Sequence, residues 1–149
     1  MMDGDQAWRR QNMGRLLNRA IARFEGRVFD LLHQQGYTAV RTSHIGLTRN
    51  LDLDGTAITE LARRAAMTKQ AMGELVVQCE AIGLVFRETS AEDARVRIVR
   101  FTAEGRQWLE AFRAAIEQAE SEARQGIGSA AFTEMIGALR TYLADGCEI

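Results

Sequence analysis

Apolar side chains fall at helical spacing over most of the chain and at strand-like spacing over one short segment. Leu17, Ile21, Phe24, Val28 and Leu31 recur at alternating steps of four and three, which predicts one long helix over the first 35 residues with a heptad-like seam. Residues 42 to 51 read as a short helix leading into LDLDG, a turn that ends at Gly55. Ile58, Leu61, Ala62 and Ala65 then share one helical stripe while Glu60, Arg63 and Arg64 point away, with Thr56 or Thr59 as the N-cap. Thr68 caps a second helix that begins near Lys69, flanked by Met67 and Met72 at the positions of a hydrophobic staple. Its inner face is predicted as Ala71, Leu75, Val76 and Cys79, and its outer face starts with Lys69, Gln70 and Gly73.

Gly83 is a helix stop, and two β-branched runs follow it, Leu84 to Glu88 and Arg95 to Phe101, separated by the polar tip TSAEDA. The second run alternates Val96, Ile98 and Arg100 against Arg95, Arg97, Val99 and Phe101, so its register is open near Val99. From about Ala103, the residues Trp108, Leu109, Phe112, Ile116, Ala119 and Ala123 mark a further long amphipathic helix that stops near Gly126 and Gly128. Ser129 caps a last helix with the stripe Phe132, Met135, Ile136, Leu139 and Leu143. No proline interrupts any of these segments, and no repeat or flexible linker separates them.

Two short helices at a tight joint followed by a charged hairpin are the sequence form of a winged helix-turn-helix, which gives a mainly α (α+β) chain that reads DNA. In such a module the first turn of the second helix touches base edges.

The same residues resemble the MarR (multiple antibiotic resistance regulator) family of transcription factors. The resemblance rests on ELARRAAMTKQAMGELV through the helix pair, on Asp93 and Arg95 as D-x-R in the wing, and on Thr102 to Gly105 as T-x-x-G opening the next helix. It covers roughly residues 37 to 110, and the flanks by helical pattern and length alone. It implies a homodimer, with residues 1–36 and 103–149 as a helical dimerisation platform and residues 37–102 as the DNA-binding module. It further implies a repressor on a palindromic operator that is released when a small ligand binds. The expected DNA contacts are Arg63, Arg64, Thr68, Lys69, Gln70, Gly73, Arg95 and Arg97, with Asp93 orienting Arg95, the wing's minor-groove arginine. One departure stands at the joint between the helices, where the family commonly carries glycine and this chain has Ala66. A positive φ there costs alanine roughly 1 kcal/mol over glycine.

Net charge is −1, which counts against nucleic-acid binding until its distribution is considered. Residues 1–50 carry +4, residues 51–100 carry −1 and residues 101–149 carry −4. Within the middle third, Arg63, Arg64, Lys69, Arg95 and Arg97 lie on the surfaces assigned to DNA, and local charge steers binding even when the total is neutral. On the first helix, Arg15, Arg19, Arg23 and Arg27 form a ridge of like charges that repel by ~0.2–0.5 kcal/mol per neighbouring pair. Glu110, Glu117, Glu120 and Glu122 of the acidic C-terminal third are the candidates to lie opposite, if first and last helices pack together.

No apolar run approaches the roughly 18 residues of a membrane span, no secretory signal opens the chain, and two distant cysteines make no disulfide framework, so a soluble cytoplasmic protein with no membrane partner is expected. His33 and His44 lack partners at metal-ligand spacing, so neither metal nor cofactor is expected. Cys79 reads as a packed apolar residue, Cys147 as exposed near the end, and Trp8, Trp108 and Phe112 as core or dimer interface. No nucleophile with a base, no paired carboxylates and no phosphate-cradling loop point to an enzyme. The alternative reading is a winged-helix module that binds another protein without DNA. A small anionic aromatic ligand is expected between module and platform, with Arg19 and Arg23 facing its carboxylate and Tyr37 and His44 as a polar rim. The competing reading pairs these arginines with the C-terminal glutamates.

Overall fold

Asn12 interrupts the first helical stretch. In the computed structural model, which describes residues 6–144, helix α1 spans Ala7–Gln11 and α2 spans Met13–Gln34. Asn12 sits between them with extended backbone, and its side chain accepts a hydrogen bond from the Arg15 N–H at 3.0 Å. The single long helix expected from the apolar seam is therefore two helices, because an Asn that caps the second ends the first. The seam itself is buried only toward its C-terminal end, at Val28 and the neighbouring Phe29 and Leu32, while Ile21 stays exposed.

The short helix expected over residues 42 to 51 is smaller, a 3-10 turn at Thr42–His44 running into α3, Ile45–Thr48. Neither Thr56 nor Thr59 caps the next helix. Thr56 belongs to β1, Thr56–Ala57, where its hydroxyl accepts from the Asp52 N–H, and Ala57 is the residue preceding α4, Ile58–Arg64. Helix α5 covers Lys69–Ala81 and begins as expected, with the Thr68 hydroxyl accepting from the Ala71 N–H at 3.1 Å. Its inner face is Met72, Leu75, Val76 and Cys79, so Met72 takes the place expected for Ala71.

Strands β2, Val85–Thr89, and β3, Arg97–Phe101, pair antiparallel from Val85 opposite Phe101 to Thr89 opposite Arg97. β1 adds to the other edge of β3, with Thr56 opposite Val99, giving the order β1-β3-β2. Val99 and Phe101 are buried, which sets the inward face of β3 on the odd positions. Helix α6 runs Ala103–Ile127 and ends at Gly128 with φ 95°. Helix α7, Ser129–Ala144, starts with Ser129 inside it; that hydroxyl accepts from Arg124 in place of capping the helix.

One apolar cluster joins the C-terminal half of α2, α3, α4, α5, the sheet and α6. Trp108 is buried in it and stacks on Phe112 at 4.9 Å, so both serve as packing residues, whereas Trp8 is 66% exposed. Arg27 of the arginine ridge meets Glu122 of α6 through two hydrogen bonds of 2.7 and 2.9 Å, which ties α2 to α6 and holds the Glu122 carboxyl down at about 2. Arg15, Arg19 and Arg23 form no ion pair among the described residues. Cys79 is buried and its thiol is pushed up to about 11 by that burial, which fits packing, whereas Cys147 lies outside the described residues. Among the described residues no helix is long and apolar enough to cross a membrane, and no cluster of three His, Cys, Asp or Glu side chains is placed to hold a metal ion.

Candidate nucleic-acid interface

Three helices end in the same hydrogen-bonded turn, and the middle one sets the angle between α4 and α5. After α2, Gly36 takes φ 91° and the Tyr37 N–H reaches the Leu32 carbonyl; after α5, Gly83 takes φ 80° and the Leu84 N–H reaches the Cys79 carbonyl. After α4 the left-handed position is Ala66, at φ 52°, with the Met67 N–H donating to Ala62 O at 2.9 Å and the Ala66 N–H to Arg63 O at 3.1 Å. This is the Schellman arrangement, which favours glycine because a Cβ is crowded there. Ala66→Gly is therefore expected to stabilise the protein by up to ~1 kcal/mol without moving the helices. Equilibrium urea unfolding checks this, and a destabilised variant would contradict the strain.

The joint turns the outer face of α5 to solvent. Lys69 and Gln70 are exposed on its first turn, Gly73 lies half-exposed one turn on, and Glu74 and Val77 continue the same surface. Beside it, Arg63 is exposed but paired with Glu60 at 2.7 Å. Arg64 is half-buried and donates to Glu60, to Asp52 and to the Asn50 carbonyl, each at 3.0 Å. Hydrogen bonds from Arg63 and then Arg64 draw the Glu60 carboxyl down to about 2. Arg64 thus fastens α4 to the turn before β1, and three oxygens of the chain itself occupy its donors.

At the wing, Asp93 accepts from the Arg95 backbone N–H at 3.0 Å and from its guanidinium at 3.2 Å, and these bonds lower the Asp93 carboxyl below its ordinary value. The D-x-R pair is formed as the sequence implies, and Arg95 remains 89% exposed at the tip. Arg97 instead braces the tip by donating to the Thr89 hydroxyl and the Ala94 carbonyl, both at 3.1 Å. Two further arginines fix the wing to the module: Arg87 of β2 pairs with Glu80 of α5 at 2.9 Å, and Arg100 reaches Glu88 and the Asp54 carbonyl. Sequence reasoning passed over Glu74 and Val77, although their spacing of four and seven from Gln70 placed them on its stripe.

The residues assigned to a ligand are scattered in environment. Arg19 and Arg23 are exposed on α2 and Tyr37 is half-buried. His44 is buried, with its Nδ1 accepting the Arg41 N–H at 3.0 Å, so it caps backbone and is no open rim. Burial, then the Arg41 charge, holds its imidazole below the usual value, with Gln78 opposing. A cleft of about 370 Å³ opens elsewhere, between α6 and α7, lined by Glu120, Arg124, Phe132 and Arg140 among others.

No protein-family model matches the chain, and no curated protein matches it. Solved structures do. A MarR-family transcriptional regulator from Rhodococcus sp. RHA1 superposes with a TM-score of 0.68 at 22% identity, over 88% of this chain and 91% of its own. The chain has the fold of MarR-family regulators. S. aureus MepR, in its complex with DNA, matches this fold with a TM-score of 0.70 at 17% identity, over 91% of this chain and 98% of its own. CouR from Rhodococcus jostii RHA1, bound to p-coumaroyl-CoA, matches with a TM-score of 0.67 at 22% identity, over 89% and 92%.

Proposed function

We propose that this chain is a cytoplasmic, sequence-specific DNA-binding transcriptional regulator, a homodimeric repressor on a palindromic operator. The observation that carries this reading is the exposed outer face of α5, side-chain capped at Thr68 and set beside a wing whose Arg95, paired with Asp93, is exposed at its tip. Lys69 and Gln70 are the base or phosphate contacts on the first turn, with Thr68 and Gly73 beside them. Arg63 and Arg97 flank the site, while Arg64 acts by holding α4 in place. Residues 37–102 form the binding module, and the arms 1–36 and 103–149, helical over most of the residues described, join two copies. MepR bound to DNA on the same fold supports the choice of partner.

Selection of bound sites from genomic DNA fragments tests this reading, and no enrichment at low salt would favour the protein-binding alternative. On the selected site, Lys69→Ala and Gln70→Ala are expected to weaken specific binding by ~1–3 kcal/mol each and nonspecific binding less. Arg95→Ala is expected to lower affinity more evenly across sequences, because the minor groove carries little sequence information. Three variants that bind like the parent would overturn the placement of recognition helix and wing.

The reading includes release by a small anionic aromatic ligand. CouR with p-coumaroyl-CoA bound favours it, and so do Arg19 and Arg23 on α2, which form no ion pair among the described residues. A ligand that prefers the DNA-free conformation a hundredfold lowers operator affinity by ~2.7 kcal/mol per site. Benzoate-like, phenolic and cinnamate-like compounds are titrated into the protein-DNA complex. Release at millimolar concentration that disappears in Arg19→Ala with Arg23→Ala is the expected result; release that survives both substitutions would move the ligand elsewhere.

A further inference from the structure

Gly73, Glu74 and Val77 lie three, four and seven residues after Gln70, so the four occupy a single stripe of α5. The opposite stripe, Met72, Leu75, Val76 and Cys79, is buried, which fixes the first stripe outward. Gly73 sits at its centre, where an added Cβ would meet nothing within 4 Å. The helix backbone is therefore bare at the middle of the outward face and approaches closely whatever lies against it.

Glu74 is the unusual member. The carboxylates Glu60, Glu80, Glu88 and Asp93 in the same module are held by arginines, whereas Glu74, like Asp54 and Glu92, is exposed and forms no ion pair among the described residues, and of these three it alone lies on the outward stripe of α5. A free carboxylate on a face that meets DNA is repelled by phosphates and by the guanine O6 and N7 and thymine O4 acceptors. Two base edges in the major groove offer an amine, cytosine N4 and adenine N6; adenine's stands beside the N7 acceptor, which repels a carboxylate, so the cytosine amine is the better donor to it. Val77, 51% exposed one turn further, offers an apolar surface of the kind that meets a thymine methyl group.

We propose that Glu74 is a specificity-determining residue that selects cytosine at one position of each operator half-site, with Val77 favouring thymine nearby and Gly73 allowing the helix to sit deep enough for both. This rests on the DNA-binding reading above. The carboxylate contributes by rejecting the other three bases as much as by accepting from cytosine, so it trades general affinity for discrimination.

Parallel site selections with the parent chain, Glu74→Gln and Val77→Ala test it, each protein first shown to melt like the parent. Glutamine pairs with adenine through N6 and N7. Glu74→Gln is expected to replace cytosine by adenine at one position per half-site and to weaken binding to the parent site roughly tenfold or more. Val77→Ala is expected to relax the thymine preference several-fold and leave the cytosine unchanged. Failure of the parent to enrich any sequence would overturn the DNA reading and this inference together. A parent that enriches a palindrome, with Glu74→Gln enriching the same one, would overturn this inference alone. So would a uniform rise in affinity for every sequence, since Glu74 would then face phosphates.

Discussion

Gly105→Ala is expected to destabilise the protein by ~3 kcal/mol or more, the upper end of what overpacking costs. Gly105 stands on the first turn of α6, where its N–H donates to the Thr102 hydroxyl at 2.9 Å. The Thr102 N–H in turn donates to the Leu84 carbonyl at 3.0 Å, so the start of α6 rests directly on the backbone that links α5 to β2. A Cβ on Gly105 would run into the Leu84 carbonyl oxygen, with the Leu84 carbonyl carbon at 2.9 Å. That obstacle has no freedom to turn aside, because the Leu84 N–H is held by Cys79 O at 3.0 Å and the residue itself is buried. The glycine of T-x-x-G is thus required by close packing and not by a left-handed φ, since Gly105 has the negative φ of the helix. Gly73→Ala is the matched control. It adds the same methyl group to a helix where nothing lies within 4 Å, and it is expected to be neutral or stabilising by up to ~1 kcal/mol. Denaturant unfolding of both variants checks the pair, and a loss below about 1 kcal/mol for Gly105→Ala would contradict the seating of α6 on the wing.

The helix pair was legible in the sequence because its signals are local. The Thr68 cap, the Gly83 stop and the apolar stripes each act within one or two turns; the cap and the stop are found where they were expected, and the stripe of α5 differs only in Met72 standing for Ala71. Features that depend on distant partners were not legible. Arg64 lies on the polar side of α4 as the pattern says, but a polar side does not announce that Asp52, twelve residues earlier, folds back to meet it. The two residues of β1 are too few to show a period and exist because β3 offers them an edge. The register near Val99 was decided by burial against the core, which the alternating arginines on both faces concealed. The break at Asn12 left a readable trace, a capping side chain three residues before Arg15, but the helix marked by the apolar seam from Leu17 onward was extended back over it. Of the arginine ridge, the expected acidic partner is realised at Arg27 with Glu122; the distribution of the remaining charges could not say whether they serve one chain or two.

In the proposed homodimer, Ile21→Glu combined with Leu143→Glu is expected to give a monomer and to cost at least a hundredfold in affinity for the proposed operator. Both helical arms leave large apolar side chains exposed, Met13, Leu16 and Ile21 on α2 and Met135, Tyr142 and Leu143 on α7, with Leu143 at 70%. Scattered exposed apolar residues are ordinary, but here they gather on the arms and are rare in the module, where Leu53, Val77 and Phe86 are the large ones. A second copy is the simplest cover for them, since the stripes of α2 and α7 exceed what this chain buries within itself. Introducing a carboxylate on each arm leaves a charge that must be desolvated for the two copies to meet, at a cost of several kcal/mol. Light scattering at micromolar concentration is expected to give twice the chain mass for the parent and the chain mass for the variant, with the helical content unchanged. The DNA consequence follows from linkage: two modules held together bind two half-sites with a gain of ~10²–10⁴ over one. The monomeric variant should keep the affinity of a single half-site and lose that gain. A parent that is monomeric at this concentration, or a variant that stays dimeric and holds the operator as tightly, would show that these exposed side chains are not where two copies join.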